Sequence, residues 1–210
     1  MNYPIVTLPL GPIQTNCYLV ADAAAQTAVV IDPGAEAGRV LAALQQHRWT
    51  ATHVLLTHAH FDHIGAAAEV AAATGAPLAI HRLELPLLRA KGGAPLFGMD
   101  IPACPEPGLL VEPGQTVTCG ALTFQVLFVP GHTVGHVAYY CAPAGAVFSG
   151  DVLFQDSIGR TDLPGGDYAT LLRSIRETLF TLPPATHVYP GHGPATTLGA
   201  EQHANPFLAD

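Results

Sequence analysis

Thr57-His58-Ala59-His60-Phe61-Asp62-His63 sets three histidines and one aspartate within six residues, 58–63. It follows His53-Val54-Leu55-Leu56, whose apolar end reads as a buried strand. Imidazole nitrogens and carboxylate oxygens are the donors a borderline-soft divalent cation prefers, and alternate positions can turn toward one point. At this composition, a chance His-x-His-x-Asp-His match is expected on the order of once in a thousand chains of 210 residues. The stretch reads as a metal site at the end of a strand, against the plainer reading of a solvated histidine-rich loop.

Upstream of it, residues 5–10, 17–21 and 28–32 are short Val- and Ile-rich runs joined by turn residues, and they read as a three-stranded meander. Pro33-Gly34 ends the third strand, and residues 35–49 read as a helix with Val40, Leu41 and Leu44 on one face. A strand over 52–57, a helix over 63–74 closed by Gly75, and a strand over 77–81 follow. Such alternation implies a partly parallel sheet covered by helices. Residues 91–113, rich in Gly and Pro, read as a long ordered loop or flap.

Strands resume at 116–119, 122–129, 137–141 and 146–149, with Gly120-Ala121 as a tight hairpin between the first two. Asp167 is placed to cap a helix running to Phe180, followed by a strand over 186–189 and a short helix near 199–203. The order is β-rich, α/β, β-rich, α/β, with no clean repeat or linker, so one domain over 1–210 is expected. Its two similar halves would pack their sheets face to face between outer helices.

Three further candidate ligands stand where strands stop. His132 lies in Pro130-Gly131-His132-Thr133, Asp151 in Ser149-Gly150-Asp151, and His192 in Pro190-Gly191-His192-Gly193. A lone Gly-His or Gly-Asp is most often an ordinary turn. Three of them at strand ends, together with the 58–63 cluster, read as ligands gathered at the carboxyl edges of sheets.

Composition narrows the function. The formal charge is −8, with Lys91 the single lysine and seven arginines scattered, so no basic patch exists to hold a nucleic-acid backbone. The start, Met1-Asn2-Tyr3-Pro4-Ile5, lacks the pattern of a signal peptide, and no apolar stretch approaches membrane-spanning length. Cys17, Cys104, Cys119 and Cys141 are widely spaced and read as free thiols, so a cytoplasmic protein is expected. His47, His53, His81, His136, His187 and His203 read as structural.

His58-x-His60-x-Asp62-His63, followed in order by His132, Asp151 and His192 and preceded by Asp32 in Ile31-Asp32-Pro33-Gly34, resembles the motif set of the metallo-β-lactamase superfamily. The resemblance implies an αββα sandwich, an α/β (α+β) fold of two mixed sheets, with a binuclear metal centre. It implies that His58, His60 and His132 hold one ion, and Asp62, His63 and His192 a second. Asp151 would bridge them, and Asp32 would accept a hydrogen bond behind a ligand. Two ions per chain are expected, zinc by ligand type, with iron or manganese compatible. Such a pair shares a water and lowers its pKa toward about 7, making a hydroxide nucleophile. Asp62 would steady that nucleophile and pass a proton to the leaving group.

Gln14-Thr15-Asn16-Cys17-Tyr18, Gly131-His132-Thr133-x-Gly135-His136 and Ile158-Gly159-Arg160-Thr161-Asp162 are similar to the glyoxalase II branch, in its short bacterial form. Only 18 residues follow His192, fewer than the helical C-terminal domain of the long enzymes needs. This narrower resemblance implies a hydroxyacylglutathione hydrolase that cleaves S-D-lactoylglutathione or a related small-molecule thioester. Arg160 then stands where the family contacts glutathione, as an anchor for a substrate carboxylate. The aromatic residue expected next is replaced by Thr161-Asp162. Persulfide dioxygenases, with one iron and glutathione persulfide as substrate, share these motifs but typically carry His-Asp-Tyr where this chain has His192-Gly193-Pro194. A lactonase or other ester hydrolase ranks behind both. A β-lactamase is disfavoured by the missing export pattern and a nuclease by the acidic charge.

Overall fold

β1 (Ile5–Leu10), β2 (Thr15–Asp22) and β3 (Thr27–Ile31) form an antiparallel meander, with Leu8 opposite Cys17 and Val20 opposite Val29. The structure, a computed structural model, describes residues 3–208. From β3 the chain crosses through α1 (Ala37–His47) to β4 (Thr50–Leu55) and pairs parallel, the connection a parallel pair requires. α2 (Phe61–Ile64) and α3 (Ala67–Thr74) lead to β5 (Leu78–His81), and α4 (Leu85–Arg89) with an irregular stretch leads to β6 (Leu109–Val111). Both pairings are parallel, so the first sheet is mixed and runs in the order β1 to β6.

β7 (Thr116–Cys119), β8 (Leu122–Phe128), β9 (Val137–Cys141) and β10 (Ala146–Gly150) begin a second sheet. A small hairpin, β11 (Leu153–Phe154) and β12 (Ser157–Ile158), precedes α5 (Tyr168–Glu177). β13 (His187–Pro190), β14 (Thr196–Thr197) and α6 (Leu198–Ala204) complete the described chain. The order is β14-β13-β10-β9-β8-β7, with β10 and β13 parallel and β9 and β10 antiparallel. Two mixed six-stranded sheets with flanking helices result, the element content expected of the α/β class.

Contacts divide the chain into two compact units. The first runs to Val111 and includes Thr118–Leu122; the second holds Glu112–Val117 and the chain from Thr123 on. In the first, Val40 and Leu44 of α1 and Val70 of α3 join Leu19, Val30 and Val54 of the sheet in one core. In the second, Leu171 and Ile175 of α5 join Ala138, Val147 and Val188. Each such side chain contributes about 1.5–3 kcal/mol on leaving water.

The structure corrects three readings. The single helix expected over 63–74 is broken into α2 and α3, because Ala66 N–H leaves the helix to bond Pro33 O at 2.9 Å. The stretch 91–113 is not all loop: a 3-10 turn spans Lys91–Phe97, and β6 adds an edge strand with Ile80 opposite Leu110. The helix expected to reach Phe180 stops at Glu177, and Leu179–Thr181 continues as a 3-10 turn.

Candidate metal ligands

β4 ends at Leu55, and the chain leaves the sheet through buried Leu56, Thr57 and His58 before α2 begins at Phe61. Asp32, the first residue past β3, is buried and has a φ of 48°, a left-handed conformation that Asp tolerates. Its Oδ1 accepts Thr57 N–H at 2.8 Å, and its Oδ2 accepts the Thr57 hydroxyl at 2.6 Å. The same Oδ2 accepts His63 Nδ1–H at 3.0 Å. Because the Thr57 hydroxyl donates to Asp32, its oxygen is left to accept from His58 Nδ1, 3.0 Å away. One carboxylate therefore fixes the protons of two rings on Nδ1, and both rings present an Nε2 lone pair.

Those lone pairs have close neighbours. His58 Nε2 is 3.1 Å from His60 Nδ1, and His63 Nε2 is 3.4 Å from Asp62 Oδ2. Thr15 Oγ1–H donates to the same Asp62 oxygen at 2.8 Å. Glu84, fully buried, accepts Ala59 N–H on Oε2 at 2.8 Å and so holds the backbone between His58 and His60. Gly34 lies against α2 so closely that a Cβ there would stand 1.5 Å from Asp62 O.

In the second unit, His132, Asp151 and His192 each follow a glycine just past β8, β10 and β13. Asp151 Oδ2 is 3.6 Å from His132 Nε2 and 3.5 Å from His192 Nε2. His132 Nδ1–H donates to Arg160 O at 2.7 Å, which again leaves Nε2 as the lone-pair nitrogen. Asp151 N–H donates to Nε2 of fully buried His136 at 3.1 Å, so His136 carries its own proton on Nδ1. The Arg160 guanidinium forms a bidentate pair with Asp162, both contacts at 2.7 Å. That hydrogen bonding holds the Asp162 carboxyl down at about 2. The two side chains are 55% and 68% exposed, so solvent screens the pair and another carboxylate can compete for it.

The donor set fits divalent cations. Two donors 2.0–2.1 Å from a tetrahedral ion lie about 3.4 Å from each other. The separations within the units, 3.1, 3.4, 3.5 and 3.6 Å, straddle that value. The donors are nitrogens and carboxylate oxygens, the chemistry zinc, iron and manganese accept. The structure thus gathers His58, His60, Asp62 and His63 with Asp32 in one unit, and His132, Asp151 and His192 with the Arg160 main chain in the other.

Three neighbours of these ligands escaped the sequence reading. His136, read as structural, is the acceptor that orients Asp151, and its place in Gly135-His136 beside the His132 motif is the signal that pointed to it. Thr15 lies in a stretch singled out for its resemblance, without a role. Glu84 had no signal, since a lone acid in Arg82-Leu83-Glu84 looks like surface charge. Two of the other structural histidines do keep to their own surroundings. His47 stacks on Trp49 with ring centroids 4.4 Å apart, and His53 Nδ1 is 3.2 Å from the Thr52 hydroxyl. All four cysteines are free thiols.

A family model described as the metallo-beta-lactamase superfamily matches residues 10–192. The "Probable metallo-hydrolase YqgX" of Bacillus subtilis is 43% identical, with 96% of this chain and 95% of that one covered. The "Hydroxyacylglutathione hydrolase GloC" of Haemophilus influenzae is 36% identical over 99% of this chain and 98% of its own. Among solved structures, BLEG-1 B3 metallo-beta-lactamase superposes with a TM-score of 0.93 at 43% identity, covering 99% of this chain and 100% of that one. TTHA1623 in a di-iron-bound form gives a TM-score of 0.87 at 46% identity, with 97% and 100% covered. Two mixed sheets with flanking helices are the fold this chain has in common with these structures.

Proposed function

The chain belongs to the metallo-beta-lactamase superfamily, and on that premise we propose that it hydrolyses thioesters as a hydroxyacylglutathione hydrolase does. The observation that carries the reading is the proton placement on the rings. His63 and His132 donate from Nδ1 to fixed acceptors, so that Nε2 is left to ligate. The thioester bond as substrate draws on the likeness to GloC.

In this reading His58, His60 and His132 would hold one divalent ion, Asp62, His63 and His192 would hold a second, and Asp151 would be a further carboxylate ligand. Such ions, when bound, acidify a water and polarise the scissile carbonyl. Zinc is the metal we assign from the donor types. The chain's own residues do the rest. Asp32 and the Arg160 carbonyl keep Nε2 of His63 and His132 free of protons and aimed. Asp62, steadied by the Thr15 hydroxyl on Oδ2, carries a proton toward the departing sulfur. A thiolate leaves readily, so this proton transfer is an aid and not a requirement. Arg160 exchanges Asp162 for a carboxylate of the substrate.

The likeness to BLEG-1 supports a second reading, hydrolysis of a β-lactam amide by the same donors. It differs in its leaving group, an amine that must be protonated to depart.

The test is metal analysis of the purified protein together with assays on S-D-lactoylglutathione, a penicillin and glutathione persulfide. Two ions per chain and release of free thiol from the thioester are expected. Lactam opening without thioester hydrolysis would replace the first reading with the second. One iron per chain with oxygen uptake on the persulfide would remove both.

A further inference from the structure

We propose that Glu201 on α6, acting with Asn205, is a positioning residue for the candidate ligands His132, Asp151 and His192 of the second unit. Both side chains are buried, four residues apart, on α6 and at its end. Glu201 Oε2 accepts Asp156 N–H at 2.9 Å and an Asn205 Nδ2–H at 2.8 Å, while Oε1 accepts the Thr196 hydroxyl at 2.6 Å. Asn205 Nδ2 also donates to Ser157 O at 3.0 Å, and its Oδ1 accepts Phe207 N–H at 3.0 Å. Carboxylate and amide together hold Asp156 and Ser157, at the tip of the β11–β12 hairpin.

That hairpin reaches all three of those ligands. β11 begins two residues after Asp151, and the Phe154 ring meets the His192 ring edge-on with centroids 6.3 Å apart. Past β12, a Cβ on Gly159 would stand 1.9 Å from Asp151 O and 3.5 Å from His132 Cβ. The next carbonyl, that of Arg160, takes His132 Nδ1–H at 2.7 Å. The hairpin cannot keep this arrangement by itself. Its strands pair only Leu153 with Ile158 and Phe154 with Ser157, and a lone two-stranded hairpin is marginal in water. Asp156 at its tip has a φ of 55°, a conformation that persists in a non-glycine residue when the surroundings fix it. Leu153 and Ile158 pack in one cluster with Leu198 and Leu208, but apolar packing is non-directional. The hydrogen bonds from Asp156 and to Ser157 supply the direction. Glu201 touches no reacting atom; it acts through the hairpin, which keeps the Arg160 carbonyl where His132 donates to it and leaves Nε2 to ligate.

The role toward metal rests on the hydrolase reading, but the hold on the His132 ring does not, and the two are measured apart. Glu201→Met removes the acceptors at similar volume. Glu201→Gln keeps the network: its carbonyl oxygen accepts from Asp156 and Asn205, and its amide donates to the Thr196 oxygen. In metal-free protein, NMR should show the His132 Nδ1–H exchanging with water at least about tenfold faster in Glu201→Met and at the wild-type rate in Glu201→Gln. The His63 Nδ1–H, held by Asp32 in the first unit, should not move in either. Unchanged exchange at His132, equal speeding of both rings, or a Gln variant as damaged as the Met variant would overturn the positioning role. Zinc competition titration should show affinity about 10–100-fold weaker in Glu201→Met and restored in Glu201→Gln. Faster exchange at His132 with unchanged zinc affinity would leave the hairpin clamp standing and remove His132 from the ligands, and the hydrolase reading with it. The unmodified protein gives an answer even if Glu201→Met does not fold. Its Asp156 and Gly159 amides should open to exchange as one cooperative unit with the Asn205 amide, which bonds Glu201 O at 3.1 Å. Hairpin amides that exchange freely while the Asn205 amide stays protected would overturn the clamp.

Discussion

The Asp32 carboxylate accepts from the Thr57 backbone, the Thr57 hydroxyl and the His63 ring, and through Thr57 it reaches His58. Its importance was legible only through the resemblance, because Ile31-Asp32-Pro33-Gly34 matches a motif of the metallo-β-lactamase superfamily. Glu84 does comparable work and was illegible. Its burial comes from the 3-10 turn that follows β5, a position no local pattern predicts. Glu84→Ala would leave the buried Ala59 N–H without this acceptor, a loss of about 1–3 kcal/mol of stability. Metal affinity should fall by about 10–100-fold, as it does when groups supporting a ligand are removed. Urea denaturation and zinc competition titration check the two parts. Glu84→Gln, which keeps an oxygen for that N–H, should recover most of both, and a Gln variant as damaged as the Ala variant would remove the role assigned to the hydrogen bond.

At the scale of elements, strands were read to within a residue or two wherever β-branched runs met turn residues, as for β1, β7 and β9. Helix ends were read where a side chain declares them. Asp167 caps α5 by accepting Thr170 N–H at 2.7 Å, and Gly75 closes α3 with a φ of 71°. The break between α2 and α3 was hidden, because its cause is the distant Pro33 carbonyl and not a residue within the helix. β6 was hidden too, being a three-residue edge strand in a stretch rich in Gly and Pro. The α5 cap carries a pH dependence. Hydrogen bonds from Thr170 hold the Asp167 carboxyl below its ordinary value. Its stabilisation is then complete above the unfolded value of about 3.9 and is lost as pH falls through the lower folded value. Amide exchange in the first turn of α5 should therefore speed up below about pH 4. Asp167→Asn, a neutral cap of similar quality, should flatten that response.

For the whole molecule, the alternation of strands and helices told the class, and the motif order told the family. The strand orders β1 to β6 and β14-β13-β10-β9-β8-β7 needed the structure, since pairing partners are chosen by contacts far apart in sequence. No helix is long and apolar enough to cross a membrane among the described residues. Metal binding should add to stability by mass action, about 2.7 kcal/mol when the free ion is at a hundred times its Kd. For a chain of this size that corresponds to roughly 5–10 °C in Tm. Scanning calorimetry before and after chelation measures it. An unchanged Tm after removal of all metal would count against ions held by the folded chain.

With Arg160 as the proposed anchor of a substrate carboxylate, its bidentate pairing with Asp162 would have a consequence for selectivity. A guanidinium already occupied by a neighbouring carboxylate meets every anionic substrate as a competitor to an internal ligand, and apparent affinity is reduced by the fraction of time it is free. Asp162→Asn should thus lower KM for anionic thioesters, while Arg160→Ala should raise it, each with little change in kcat. Opposite movement of the two KM values would show the internal ligand at work; equal movement would show that Arg160 serves only the loop. Neutral thioesters should be indifferent to both changes. In the proposed anchoring role the pair would act as a threshold: weakly anionic molecules would fail to displace Asp162, and those with a well-placed carboxylate would be admitted.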